Sequence, residues 1–417
     1  MDMDKSEQPK KRDFWGFPLT HFAYFFQWQI INGYLTLWLE QVGHLNGATA
    51  GLVFSMMAGI SLLFQPAFGV ISDKLVFKKN LIITIAIASM LIGPYFQWCF
   101  MPLLGISPTF VAIVTGIFLS FIFNGGVSVI EQYVQRAALA NGFEYGHSRM
   151  GGSLAGMVAS FVGGHIFLMA PNSIFWANSV MGLCLTLLLI FSDKIHMENA
   201  AAAGGSSDSS LDMSQIGKIF RMRNFWILCL FYVGTSALYD VFDQQFIIFF
   251  KTFFDSAAAG TTAYSYMTTV QIGLEFLLMF PMPWLINKIG SRNGLIAYGV
   301  ILAARIIGSA LAPNLAVVII LRLLAGFEMP LVLVSIMKYI AGAFDVRVYA
   351  TVYALASNFA KQISVFIFST VAGNWYDSIG FQHTYMILGV IVAVVTVIAA
   401  FTLKKEDPVQ AGEISAK

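Results

Sequence analysis

The sequence predicts an all-α integral membrane protein with twelve transmembrane helices in two pseudo-symmetric six-helix bundles. Three observations support this fold class. Hydrophobic residues make up 58% of the 417 residues, and the mean hydropathy is +0.74. Charged residues make up only 11%, whereas a soluble protein carries roughly 25%. Apolar runs of about the 20 residues that a membrane-spanning helix needs also recur along the whole chain.

The apolar runs follow one another with short polar connections, and about twelve of them are long enough to cross a bilayer. Prolines inside them are compatible with membrane helices, because neighbouring helices and polar side chains can satisfy the freed backbone groups. An even number of crossings places both termini on the same side of the membrane. The runs lie near 14–39, 48–72, 80–103, 107–135, 147–170, 173–192, 224–252, 262–287, 294–311, 313–340, 347–373 and 380–403.

Lysine and arginine residues indicate which side that is. They concentrate at both termini, in the loop after the second run and in the central polar stretch, whereas the alternate loops contain little beyond Lys251. The positive-inside rule therefore predicts a plasma (inner) membrane protein with both termini in the cytoplasm. The residues are Lys5, Lys10, Lys11, Arg12, Lys74, Lys78, Lys79, Lys194, Lys218, Arg221, Arg223, Lys288, Arg292, Arg347, Lys404 and Lys405.

One long polar stretch, residues 193–222, separates the first six runs from the last six. Its small-residue, Ser/Gly-rich part is typical of a flexible linker. We therefore predict an N-terminal bundle over 1–192, a cytoplasmic linker over 193–222, and a C-terminal bundle over 223–417.

The loops that follow the second helix of each half resemble one another, at residues 69–79 and 285–292. Two repeated six-helix halves suit a transporter that works by alternating access around a site near the middle of the membrane. The two halves and the loop Gly69…Asp73-Lys74…Lys78-Lys79 resemble the major facilitator superfamily.

The composition also excludes several functional classes. A net charge of +2 gives no basic field that would attract nucleic acid. The three cysteines lie in apolar runs, so no disulfide framework is expected. Walker, Rossmann and HExxH motifs are absent, and His and Cys occur singly. We therefore expect no catalytic residues, no metal and no cofactor other than protons as the coupling ion.

Nine charged residues are predicted to lie at membrane depth, where a charge is costly and marks either a transport pathway or a buried pair. The acids outnumber the bases by one, and burial disfavours the ionised form of an unmatched carboxyl. Such a group can hold a proton in one state and release it in another, as a proton-coupled carrier requires. The alternative is that all nine form structural salt bridges. They are Glu131, Asp240, Asp243, Glu275, Glu328, Arg149, Arg305, Arg322 and Lys361.

Four segments resemble the oligosaccharide:proton symporters, the lactose permease group of that superfamily. The most specific is the run Tyr-Asp-Val-Phe-Asp-Gln-Gln-Phe at 239–246, because such acidic runs are rare inside membrane helices. The others are 143–150, 305–309, and 327–330 together with Lys338-Tyr339.

The resemblance implies roles for matching positions. Glu131 and Arg149 correspond to the pair that binds sugar hydroxyls, and Asn124 on the same helix as Glu131 could add an amide contact. A planar guanidinium and a carboxylate can share several hydroxyls. Glu328 and Arg305 correspond to the family's proton-coupling glutamate and its arginine partner. Asp243 and Arg322 correspond to a second acid–base pair. Asp240 and Lys361 correspond to a pair that is regarded as structural.

The chain also departs from the lactose branch. Ala325 stands where that branch has a His three residues before the coupling Glu, and Gly156 stands where it has a Trp that stacks on the galactosyl ring. Ile272 replaces a Glu. Gln271 and Glu275 instead resemble the sucrose permease branch and are candidate sugar-binding residues. We expect a pocket that does not favour simple β-galactosides.

Aromatic residues on the first helix could replace the lost stacking surface. His21, Tyr24, Phe25 and Trp28 share one face at three- and four-residue spacings, and Trp28 is the candidate for stacking on the sugar. The alternative is that Trp28 packs against lipid or a neighbouring helix. We interpret His21 and His165 as packing residues rather than proton carriers.

Together these features predict a non-enzymatic, proton-coupled symporter that imports a di- or oligosaccharide by alternating access. The expected partners are the sugar and the lipid bilayer, and we expect a monomer. An alternative is an uncoupled sugar facilitator or an exporter of another small molecule, which Ala325 favours. A non-transporting membrane sensor is a third hypothesis, but the paired intramembrane charges and the lack of a signalling domain argue against it.

Overall fold

The computed structural model describes residues 11–75, 78–141, 143, 145–192, 219–344 and 349–404. Every regular element within these ranges is a helix. Residues 193–218 of the predicted linker lie outside the described residues, as do several of the lysines and arginines from which the topology is predicted.

The helices of the first half begin and end close to the apolar runs. Two of them contain short π-helical segments, Tyr95–Cys99 in α3 and Ser120–Gly125 in α4. The helices are α1 Lys11–Gln41, α2 Gly47–Leu75, α3 Asn80–Ile106, α4 Pro108–Ala138, α5 Tyr145–Met169 and α6 Ser173–Phe191.

The helices of the second half include two breaks. The short helix Met282–Ile289 is bent by 61° from the end of α8. The last helical stretch is broken at Gly380, which has a φ of 80° and divides it into α11 and α12. The helices are α7 Arg223–Gln244, α8 Ala257–Met279, α9 Ser291–Ala310, α10 Leu315–Ala343, and the α11–α12 stretch Thr351–Thr402.

The number of membrane crossings follows from these helices. Nine in the described part of the chain are long and apolar enough to span a bilayer, and α8 with its bent extension makes a tenth. The α11–α12 stretch has 52 residues, about 78 Å at 1.5 Å per residue, which is more than twice the roughly 30 Å of a bilayer core. It therefore supplies two spans. This second span of the stretch brings the count to eleven. The 31 residues of α1 form the twelfth span, although polar side chains lower the hydropathy of this helix.

The described residues form two compact units. The first contains those within Met1–Trp38 and Ile60–Ser209, and the second contains those within Leu39–Gly59 and Ser210–Lys417. The first part of α2 thus belongs to the second unit. The domain limits expected from the sequence, at 192 and 223, stay a prediction.

An aromatic cluster forms the core of the first unit around Trp38 at the end of α1. The ring is fully buried. Phe96, Phe100 and Phe175 meet it edge-on at centroid distances of 5.2, 4.9 and 5.0 Å, a favourable geometry for aromatic pairs. The indole nitrogen donates to Asn172 Oδ1 at 2.7 Å, so its polar group is satisfied.

In the second unit, the first turns of α2 pack closely on α11. The backbone N–H groups of Gly47 and Ala48 donate to the Asp377 carboxylate at 2.9 and 2.8 Å, which caps the positive end of the α2 dipole. One turn later, Gly51 lies against the backbone carbonyl of Ser369, so close that a Cβ at position 51 would overlap it. Small residues permit this approach of two backbones.

We predict that Gly51→Ala lowers the thermal unfolding midpoint in detergent, because its methyl group must displace the α11 backbone. Overpacking of this kind costs about 1–3 kcal/mol. Gly69→Ala on the same helix is the matched control, since a Cβ there meets no atom within 4 Å. Equal midpoints for the two variants would contradict the close packing of α2 on α11.

Candidate functional site

Two helices of the first unit bring together the predicted sugar-binding pair. Glu131 lies on α4 and Arg149 near the start of α5, and Arg149 Nε is 3.1 Å from Glu131 Oε1. The guanidinium carbon lies 4.4 Å from the centre of the Phe25 ring on α1, within the range of a cation–π contact. The side chains of Glu131 and Arg149 are 27% and 41% exposed. The pair is therefore preorganised yet accessible to a ligand.

A third polar group joins this pair. His21 on α1 is fully buried. Its Nδ1 lies 2.7 Å from Ser148 Oγ, and its Nε2 lies 3.4 Å from Glu131 Oε2. The sequence interpretation of His21 as a packing residue missed these contacts. A lone histidine on an aromatic helix face has no motif that would indicate its partners.

The π-helical segment of α4 is held by a tyrosine that the sequence pattern also left without a role. Tyr24 on α1 is buried, and its hydroxyl lies 3.0 Å from the carbonyl oxygens of both Ile122 and Phe123. A π-helical turn leaves carbonyl groups without their usual intrahelical donors, and such turns are frequent at functional sites. The segment contains Asn124, which lies half-buried seven residues before Glu131 on α4.

The stacking surface expected from Trp28 stays a prediction. Trp28 is half-buried on α1, one turn beyond Tyr24, and its backbone carbonyl accepts a hydrogen bond from Asn32. Gly156, which stands where the lactose branch has a Trp, is buried on α5.

The second unit contains the predicted proton-coupling group. Glu328 on α10 and Arg305 on α9 are both fully buried. Arg305 Nε and Nη2 donate to Glu328 Oε1 and Oε2 at 2.8 Å each. This bidentate geometry is the strongest that a guanidinium and a carboxylate can form. Tyr239 and Phe242 line the arginine, with ring centres 5.0 and 4.8 Å from its guanidinium carbon.

The second predicted pair extends this cluster. Asp243 on α7 forms an ion pair with Arg322 on α10. The same Asp243 oxygen, Oδ1, accepts a hydrogen bond from Arg305 Nη1 at 3.3 Å. Two carboxylates and two guanidinium groups therefore form one connected network whose formal charge is zero when both acids are ionised. We refer to Asp243, Arg305, Arg322 and Glu328 as the charge network.

The remaining predicted residues lie around the charge network on α7, α8 and α11. Lys361 Nζ is 2.8 Å from Asp240 Oδ2, and these side chains are 22% and 32% exposed. Gln271 is buried and Glu275 is half-buried one turn later on α8. Ala325 is fully buried one turn before Glu328, so the side chain at position 325 brings no titratable group to Glu328.

The family model of the LacY proton/sugar symporters matches residues 6–413 of this chain. The chain belongs to this family. The raffinose permease of Escherichia coli is 41% identical to it over 403 residues, which cover 96% of this chain and 95% of that protein. The melibiose permease of Enterobacter cloacae is 39% identical over 401 residues, covering 96% and 94%.

The fold agrees with a solved transporter of low sequence similarity. The crystal structure of the nucleoside transporter NupG superposes with a TM-score of 0.79, at 14% identity, over 95% of this chain and 100% of that one. This likeness concerns the fold alone. It confirms the major facilitator fold that the sequence predicts.

We predict that Asp240 and Lys361 can be replaced together but not singly. Asp240→Asn leaves the Lys361 charge without its partner. Breaking a fully buried ion pair costs about 3–5 kcal/mol of stability, and we expect a smaller loss here because both side chains are partly exposed. We expect each single variant, Asp240→Asn or Lys361→Gln, to lower the amount of folded protein and the transport rate. The double variant should recover most of both. A double variant no better than the worse single one would point to a direct role in transport.

We predict that Arg149→Lys weakens sugar binding by about tenfold or more, because an ammonium keeps the charge but loses the planar fork and the stack on Phe25. Equilibrium binding to purified protein measures this effect. Arg292→Lys is the matched control, since Arg292 donates to the backbone carbonyls of Ala400 and Leu403 and lies outside the site. Unchanged affinity in Arg149→Lys would remove this residue from the binding site.

Proposed function

We propose that this protein imports a di- or oligosaccharide together with a proton by alternating access, and that Glu328 carries the proton. The observation that supports this assignment is the complete burial of Glu328 in a charge network that balances only when it is ionised. The LacY proton/sugar symporter family supports both the coupling ion and the sugar.

The charge network supplies a physical link between protonation and conformation. When Glu328 takes up a proton, the two arginines face only one ionised carboxylate, Asp243. The network then has an excess positive charge in a region of low dielectric, which is costly. Any conformation that gives Arg305 water or another acceptor is favoured in the protonated protein. A proton can therefore shift the conformational equilibrium by its different affinity for the two states.

The Glu131–Arg149 pair is proposed to bind the sugar. Arg149 approaches Glu131 with its Nε, and its guanidinium group has two further nitrogens, Nη1 and Nη2, that carry hydrogens. They can donate to neighbouring hydroxyls while Glu131 accepts from a third. The Phe25 ring behind the guanidinium supports its orientation.

The substrate class follows from the relatives and from the changes in the pocket. Raffinose and melibiose are a tri- and a disaccharide, so we propose an oligosaccharide of about this size. Ala325 and Gly156 differ from the lactose branch, and we propose that they direct the pocket away from simple β-galactosides. We also propose a monomer in the plasma membrane with both termini in the cytoplasm, which the lysine and arginine distribution supports.

Ala325 also favours a second candidate function, an uncoupled sugar facilitator. A buried alanine cannot share a proton with Glu328. Addition of raffinose or melibiose to energy-depleted cells distinguishes the two, because only a symporter makes the medium alkaline as sugar enters.

We predict that Glu328→Gln abolishes accumulation of sugar against a gradient but leaves binding and exchange largely intact. The neutral amide resembles a protonated carboxyl and cannot release a proton. Uptake driven by an imposed pH gradient and counterflow without one, both in proteoliposomes, separate these activities.

The matched control is Glu40→Gln, because Glu40 pairs with Lys251 away from the charge network. It should accumulate sugar as the native protein does. If Glu328→Gln still concentrates sugar with the native response to pH, the proton is carried elsewhere.

A further inference from the structure

A closed ring of polar contacts links α1, α4 and α5 in the first unit. Ser148 contacts His21, His21 approaches Glu131, and Glu131 contacts Arg149, which directly follows Ser148 on α5. The ring therefore begins and ends on adjacent residues of one helix. We refer to these four residues as the polar ring.

The direction of each hydrogen bond follows from the chemistry of the groups. An ionised Glu131 only accepts, so His21 Nε2 must carry the hydrogen that faces it. In neutral imidazole the other nitrogen, Nδ1, then accepts, and the Ser148 hydroxyl is the donor 2.7 Å away. Ser148 thus sets the tautomer that directs a donor at Glu131, as a partner on the second ring nitrogen commonly does.

The contact between His21 and Glu131 is slightly too long for a hydrogen bond, and a small movement of either side chain would form one. Its distance of 3.4 Å slightly exceeds the about 2.7–3.2 Å of an ordinary N–H···O bond. His21 Nε2 and Glu131 Oε2 are both buried, and neither has a hydrogen-bond partner in the described part of the chain. Leaving two complementary buried groups unpaired is costly, and functional hydrogen bonds often tighten only when the ligand binds.

We propose that His21 is a positioning residue of the sugar site: it donates from Nε2 to Glu131 Oε2 and so holds the carboxylate at the angle at which Oε1 meets Arg149. This inference rests on the proposed function, since Glu131 is taken as a sugar ligand. His21 acts on the site through Glu131. Phe25 contacts both neighbours, since its ring centre lies 5.8 Å from that of the imidazole and 4.4 Å from the Arg149 guanidinium carbon.

A purely packing role predicts different behaviour. His21 contacts Phe25 and Tyr145 through its ring, so a packing residue could be replaced by any side chain that fills the same volume. A positioning residue requires a donor at the place of Nε2. Glutamine and asparagine distinguish these two roles, because the glutamine amide nitrogen reaches about as far as Nε2 and that of asparagine only about as far as Nδ1.

The first measurement is the affinity of the purified full-length protein for raffinose and for melibiose. We expect His21→Asn to raise Kd by about tenfold or more, the loss of one hydrogen bond to a charged group. His21→Gln should stay within about threefold of the native protein. Ser148→Ala should give an intermediate Kd, because the tautomer is no longer set. The maximal counterflow rate should change less than Kd in all three variants.

The matched control is His165→Asn on α5. His165 is half-buried, and its Nδ1 contacts the carbonyl of Phe161 in its own helix. This variant should bind both sugars with native affinity. Equal Kd values for His21→Asn and His21→Gln would overturn the proposal, because a positioning residue must distinguish the two amides.

A second measurement needs no sugar and so separates this proposal from the proposed function. In a double-mutant cycle of thermal unfolding midpoints, His21→Asn should have a smaller effect in a Glu131→Gln background than in the native protein. Additive shifts would overturn the His21–Glu131 contact whichever sugar is transported. A native protein that binds neither sugar, together with clear coupling in this cycle, would contradict the proposed substrate and leave the role of His21 supported.

Discussion

A charge that is cut off from water must be paired, and the second unit is organised around this requirement. Arg305 and Glu328 are fully buried, and the two parallel hydrogen bonds between them restrict how α9 and α10 can lie. Asp243 connects α7 to the same charge network through both arginines. Four side chains whose charges sum to zero thus link three helices. Removing one partner leaves an ion whose burial costs several kcal/mol.

The charged pairs of the two units differ in exposure, and this difference agrees with the roles proposed for them. Glu131 and Arg149 keep 27% and 41% of their side-chain surface exposed, whereas Arg305 and Glu328 keep 1% and 0%. An exposed pair can exchange water for sugar hydroxyls without a large desolvation cost. A buried pair responds to the gain or loss of one proton, because the resulting charge has no solvent to stabilise it. The difference in exposure therefore supports the proposal that Glu131 and Arg149 bind the sugar and that Glu328 carries the proton.

The sequence was sufficient for the fold and for the charged pairs. Hydropathy located the spans, although polar side chains lower the hydropathy of α1, and α11 and α12 follow one another in one apolar stretch that is interrupted only by the break at Gly380. The three pairs on α7, α9, α10 and α11 could be anticipated, because a charge at membrane depth needs a partner and the resemblance named it. His21 and Tyr24 could not. Their partners are a distant carboxylate and two backbone carbonyls of a π-helical segment, neither of which leaves a pattern in the sequence.

In the proposed sugar site, the polar ring offers a way to change the surroundings of Glu131 and Arg149 while the pair itself is kept. The lactose branch places a Trp where this chain has Gly156 and a His where it has Ala325, so both the stacking ring and one polar group are absent from those positions. In this chain an imidazole instead stands on α1, behind Glu131 rather than beside Glu328. At this position it can restrict the carboxylate that is proposed to bind the sugar. The pair proposed for the sugar and the glutamate proposed for the proton thus lie in different units, so a substitution at His21 tests the first without altering a residue of the charge network.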